Sequence, residues 1–162
     1  MPKRKPTRLP EYDYSEYGMY FLTICAKDME QIFGRIVGEG LASPGHSGSK
    51  FQPSPLGKIT EKHLLDIPNH YDNVFVDKYV IMPNHIHLIV MLEHSSGRTS
   101  PSPTIGNIIG GFKSGVSHEY GQLIWQRSYY DHIIRNEKDY ERIWEYIENN
   151  PFQWEVDKFY NE

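Results

Sequence analysis

Val74-Phe75-Val76-Asp77-Lys78-Tyr79-Val80-Ile81-Met82, then Pro83-Asn84, then His85-Ile86-His87-Leu88-Ile89-Val90-Met91-Leu92: the reading of this run decides the fold. Both arms are rich in β-branched and aromatic residues and read as strands. Pro83 has no N–H to donate, so it interrupts what would otherwise be one central strand and makes Pro83-Asn84 a turn or kink. Upstream, Ser54-Pro55 reads as an N-cap followed by proline at the first helical position. Leu56, Ile59, His63, Leu64 and Ile67 follow at helical spacing, and the helix is expected to end before Pro68. Before it, Gly38 to Pro53 collects Gly, Ser and Pro without periodicity and reads as loop. Gln31 to Val37 reads as a second extended piece, and Met19 to Cys25 as a buried strand.

Downstream, Ser95 to Pro103 is a second predicted loop. A helix starting near Thr104 carries Ile105, Ile108, Ile109, Phe112 and Val116 on one face. Its Gly110-Gly111 pair costs ~1 kcal/mol per glycine relative to alanine, so close packing or a close ligand is expected there. Leu123 to Ile134 reads as the last strand, and Asn136 caps a final helix running to about Asn149. The order β(β)αββαβα predicts an α+β fold: a ferredoxin-like βαββαβ sandwich with an antiparallel sheet and an additional C-terminal helix. The 162 residues are expected to form one domain, 1–162, with a basic N-terminal arm over about 1–10 and loops near 38–53 and 95–103.

Composition narrows the class. No apolar run approaches the ~20 residues of a membrane span, and Met1 to Pro6 leads into Tyr12-Asp13-Tyr14 rather than a signal-peptide core. The lone Cys25 makes no internal disulfide. These readings favour the cytoplasm. The net charge of −4 seems to exclude nucleic acid, but it is local. Residues 137–162 hold eight acids against three bases, which leaves 1–136 with 14 bases and 13 acids. Lys3, Arg4, Lys5 and Arg8 all precede the first acid, as an arm placed to hold phosphates or as an ordinary solvated tail.

In a strand, His85 and His87 point to one face while Ile86, Leu88 and Val90 point to the other. Two imidazoles ~7 Å apart along one face either converge on a metal ion, as imidazoles often do, or serve as hydrogen-bonded histidines. On the final helix, Tyr140, Ile143, Trp144 and Ile147 form the apolar stripe. Tyr146 and Asn150 lie ~40° apart on its flank, at ~100° per residue. Tyr146 is either a half-exposed surface tyrosine or a phenol facing the histidines, with Asn150 offering an oxygen beside it. Lys113, Ser114 and Arg127 are placed either to contact DNA phosphates or simply to be solvated. His132 reads as a structural hydrogen-bond partner or a phosphate contact.

Pro83-Asn84-His85-Ile86-His87 followed by Tyr146-Ile147-Glu148-Asn149-Asn150-Pro151 resembles the single-tyrosine HUH transposases, closest to the REP-associated tyrosine transposases and their insertion-sequence relatives. Trp125 to Arg135 and the Tyr12-Asp13-Tyr14 to Ile24 opening are similar too, so the resemblance runs from about residue 8 to 157. It implies metal-dependent cleavage and rejoining of single-stranded DNA, typically beside a hairpin, through a 5′-phosphotyrosine. By position it makes Tyr146 the nucleophile and His85, His87 and Asn150 the ligands of Mg²⁺ or Mn²⁺. The DNA contacts would fall to Lys3, Arg4, Lys5, Arg8, Lys113, Ser114 and Arg127. A bacterial, nucleoid-associated location and a monomer rather than a homodimer are the matching expectations. Two other classes compete: a catalytically silent hairpin-binding protein, and a metal-dependent phosphodiesterase that uses water.

Overall fold

Alternation along the 74–92 hairpin sets the two faces of the sheet. The structure, a computed structural model, describes residues 18–37, 50–93, 103–156 and 159. The hairpin forms as β4 (Val74–Ile81) and β5 (His85–Leu92), in the order of elements β1 (Gly18–Cys25), β2 (Gly34–Val37), β3 (Lys50–Pro53), α1 (Pro55–Leu65), α2 (Ile67–His70), β4, β5, α3 (Ile105–Tyr120), β6 (Tyr130–Ile134) and α4 (Glu137–Asn149). A 3₁₀ stretch, Asn150–Val156, continues α4. The main sheet runs β4-β5-β1-β6, with every neighbour antiparallel. The first strand of the βαββαβ set thus lies between the third and the fourth, the ferredoxin-like arrangement, with α4 added.

One face carries the main core. Tyr20, Leu22 and Ile24 of β1 and Ile86, Leu88 and Val90 of β5 meet Leu64 of α1 and Ile105, Ile108, Ile109, Phe112 and Val116 of α3. Burying each large apolar side chain is worth about 1.5–3 kcal/mol. A one-residue slip of β5 would drive His85 and His87 into that core, so the apolar set fixes their register. On the other face a smaller cluster joins Ile89 to Ile143 and Ile147 of α4, with Phe21, Met19 and Ile134 beside it. The histidines emerge on this second face, and α4 packs there.

Two expectations are corrected. The predicted loop over 38–53 ends in a strand: Lys50–Pro53 pairs with Gly34–Val37 as a separate two-stranded sheet. Phe51 packs against the core, a tertiary reward that local composition does not reveal. Residues 38–49 lie outside the described residues, as do 94–102 and the basic arm with Lys3, Arg4, Lys5 and Arg8. The last strand is shorter than Leu123–Ile134. Ser128 takes a left-handed φ of 72°, which breaks the extended run, so only Tyr130–Ile134 pairs while Trp125 makes a single bridge to Ala26. The helix opened by Ser54-Pro55 ends at Leu65, before Pro68 as expected, and Pro68 sits in the first turn of the short α2, where its missing N–H costs nothing.

Candidate functional site

The second face of the sheet brings the singled-out residues together. His85 and His87 are both buried, with ring centroids 4.5 Å apart. Phe21 of β1 stacks on His87 at 5.3 Å. Tyr146 of α4 reaches the same spot: its ring lies 5.2 Å from that of His87, and its Oη lies 3.4 Å from His87 Nε2.

Partner chemistry assigns the imidazole tautomers. Asn84 Nδ2 donates to the carbonyls of Phe159 at 2.6 Å and Met29 at 3.4 Å, so its Oδ1 faces His85 Nδ1 at 2.8 Å. An amide oxygen only accepts, so His85 carries its proton on Nδ1 and its lone pair on Nε2. His87 Nδ1 lies 2.8 Å from Thr23 Oγ1. With Nδ1 protonated, that ring donates to Thr23 and its Nε2 accepts from the Tyr146 phenol. The His85 ring is thus held with Nε2 presenting a lone pair, and His87 can present its own in the same way when Thr23 accepts from its Nδ1, as metal-ligating imidazoles require. Sequence reading missed Asn84 and Thr23 in this role. The available signals were adjacency to His85 and a lone hydroxyl in an apolar strand.

Asn150 lies one turn beyond Tyr146 and four residues before Trp154. Tyr146 touches His87, and Trp154 packs towards His85 at 6.1 Å between ring centroids, so Asn150 stands in the chain between two residues that reach the pair. Asn150 is 2% exposed, and its Oδ1 has no hydrogen-bond partner among the described residues. Leaving a buried polar atom unsatisfied costs ~1–3 kcal/mol, so this oxygen fits a ligand role. No three His, Cys, Asp or Glu side chains gather around a potential metal among the described residues. Imidazole nitrogens suit a first-row divalent cation, and a buried amide oxygen is chemically able to join them.

The helix bearing Tyr146 is tied down along its length. Asn136 caps it, accepting from Asp139 N at 2.9 Å. The Tyr140 phenol donates to Asp77 of β4 at 2.6 Å, and this bond to a carboxylate pushes the phenol up to about 12. Lys78 of β4 pairs with Glu148 and lies 3.8 Å over the Trp144 ring. His132 of β6 bonds Asp139 at 2.6 Å, which holds that carboxyl below its usual range, helped by Arg142.

The remaining sequence candidates sit elsewhere. Lys113 donates to the carbonyls of Gln126 at 3.1 Å and Ser128 at 2.5 Å, while Trp125 Nε1 donates back to Lys113 O at 3.0 Å. That ammonium latches the segment before β6. Ser114 and Arg127 are exposed on the α3 side. Of the Gly110-Gly111 pair, only Gly111 is near a packing partner, with Tyr71 Oη 3.4 Å from the position of a Cβ. Phe159 had no signal in the sequence. Its ring packs on His85 at 4.4 Å and on His87 at 5.7 Å.

No protein-family model matches the chain. The fold is shared with a REP-associated tyrosine transposase solved bound to a REP hairpin, at a TM-score of 0.62 and 21% identity over 90% of this chain and 74% of that one. That likeness defines a class of fold and agrees with the motif resemblance. In sequence, an uncharacterized protein of Haemophilus influenzae (strain ATCC 51907 / DSM 11121 / KW20 / Rd) is 37% identical over 177 residues, which span 97% of this chain and 93% of that protein. The chain belongs to the same family as that Haemophilus protein.

Proposed function

We propose that this protein is a transposase-like enzyme that cleaves and rejoins single-stranded DNA beside a hairpin, with Tyr146 as nucleophile. The observation that carries the reading is the approach of Tyr146 Oη to within 3.4 Å of His87 Nε2, inside one chain. The fold shared with a hairpin-bound transposase supports it. His85 Nε2, His87 Nε2 and Asn150 Oδ1 would hold a divalent cation, Mg²⁺ or Mn²⁺. Such an ion would neutralise charge developing on the scissile phosphate and ease departure of the 3′ oxygen.

The chain's own groups do the rest. Asn84 and Thr23 hold both imidazoles oriented. The phenol of Tyr146 gives up its proton as Oη attacks phosphorus. The P–O3′ bond breaks, the departing oxygen takes up a proton, and a 5′-phosphotyrosine and a free 3′-OH result. No water is consumed, and the bond energy stays in the phosphotyrosine. A second 3′-OH then reverses the step. Because nucleophile and histidines come from the same chain, a monomer suffices. Exposed Ser114 and Arg127, with Lys3, Arg4, Lys5 and Arg8 of the arm, would contact the DNA; Lys113 is committed to its latch.

The packing of Phe159 over both histidines favours a second reading, a hairpin-binding protein that does not turn over. Incubation of a 3′-labelled hairpin carrying randomised single-stranded flanks with Mn²⁺, followed by denaturing gels, separates the two. The enzyme reading expects a covalent protein–DNA adduct that Tyr146→Phe abolishes. Cleavage that persists in Tyr146→Phe points to a water nucleophile, and binding without cleavage points to the silent protein.

A further inference from the structure

Beside the histidines, on the same face of the sheet, lies a cavity of about 370 Å³ lined by Phe21, Thr23, Tyr130, Asp131, His132 and Phe159. Its size falls within the ~300–1,000 Å³ of small-molecule sites, and three of its six walls are aromatic. Phe21 links it directly to the reacting groups, since its ring stacks on His87 and stands edge-on to Tyr146 at 6.2 Å between centroids. Thr23, which holds His87 Nδ1, forms another part of the floor. Tyr130 is 49% exposed on the edge strand β6, where no core packing explains so large a ring. His132 at the rim is fixed by Asp139.

We propose that this cavity takes one unpaired nucleobase, that of a nucleotide next to the scissile phosphate, stacked against Phe21 and Tyr130. The inference rests on the strand-transfer reading above and adds a substrate class to it. A phosphate at Tyr146 and the two histidines leaves its neighbouring base one side chain away from the cavity. A base enters such a pocket only when it is free of a duplex, so the cavity selects single-stranded DNA at the cleaved position. Stacking on aromatic faces tolerates any base and is worth roughly five- to a hundredfold in affinity per base. The pocket therefore sets strandedness and register, and leaves sequence choice to other contacts.

The test uses the full chain and a hairpin oligonucleotide with randomised single-stranded flanks, in which 5-iododeoxyuridine replaces thymidine. After irradiation, mass spectrometry maps the cross-linked residues, while a parallel reaction in Mn²⁺ measures the covalent adduct. The expected result is cross-linking at Tyr130 or Phe21, with Tyr130→Ala lowering flank binding about tenfold and Tyr130→Phe retaining it. Adduct formation with cross-links confined to other residues overturns the pocket and leaves the reaction intact. Cross-links at Tyr130 without any adduct keep the pocket and overturn the reaction; absence of both overturns both. Equal binding by Tyr130→Ala and the parent chain also overturns the pocket.

Discussion

Asn84 shows how much one side chain does for the site. It occupies the turn between β4 and β5, is fully buried, and fixes the tautomer of the histidine that follows it. Its own orientation comes from two carbonyl acceptors, one of them in the 27–29 turn, where Asp28 and Met29 both adopt φ of 55°. Backbone strain of that kind costs ~1–3 kcal/mol per residue and persists where the surroundings over-determine it. Asn84→Ala removes the acceptor and frees the His85 ring. The expected outcome is a 10- to 100-fold loss of Mn²⁺ affinity, the usual cost of losing a second-shell partner, measured by calorimetric titration. Unchanged affinity would show that Nε2 of His85 is not a metal ligand.

At the scale of elements, α3 separates packing glycines from tolerated ones. At Gly115 a Cβ would sit 2.9 Å from His63 Nδ1, so the helix needs that absence of side chain to lie against α1. At Gly110 a Cβ would meet nothing within 4 Å. Gly110→Ala should therefore stabilise the protein by about 0.5–1 kcal/mol through helix propensity, whereas Gly115→Ala should destabilise it; urea unfolding midpoints decide both. The glycine pair flagged in the sequence thus resolves into one packed position and one free one. The same scale shows what was legible beforehand. The 3.6-residue stripes of α3 and α4 and the caps Ser54, Thr104 and Asn136 stand where the sequence places them, because each is a local pattern with a local cause. The β2–β3 pairing and the late start of the last strand depend on long-range contacts and on the left-handed Ser128, which no local pattern encodes.

Across the whole molecule, two phenols tie helices to β4, Tyr79 on the α1 side of the sheet and Tyr140 on the α4 side. Tyr79 donates to Glu61 at 2.7 Å, and burial, then that bond, pushes its phenol up to about 12; Tyr140 is raised to about 12 by Asp77. In the unfolded chain both titrate near ~10. A folded pKa above the unfolded one gives stability that is complete below ~10 and lost as pH rises toward about 12. Denaturation at pH 9 and 11.5 should show a steeper loss in the parent chain than in a Tyr79→Phe, Tyr140→Phe double variant. The acid side behaves inversely. Asp139, held low by His132, contributes above its ordinary carboxylate range and loses that contribution as pH falls below it. The pairing of His85 and His87 on one face was readable from strand alternation alone. Their company was not: Thr23 lies 64 residues from His87 and Tyr146 lies 59 from it, and only the sheet order brings the three together.

Those separations carry a consequence for synthesis. The sheet and its histidines are encoded before residue 135, and Tyr146, the proposed nucleophile, follows on α4. Domains fold as their residues leave the ribosome, so on the proposed mechanism an unfinished polypeptide would hold the two histidines but lack the tyrosine that attacks DNA. A chain stopped at Asn136 should give no covalent adduct under any metal condition.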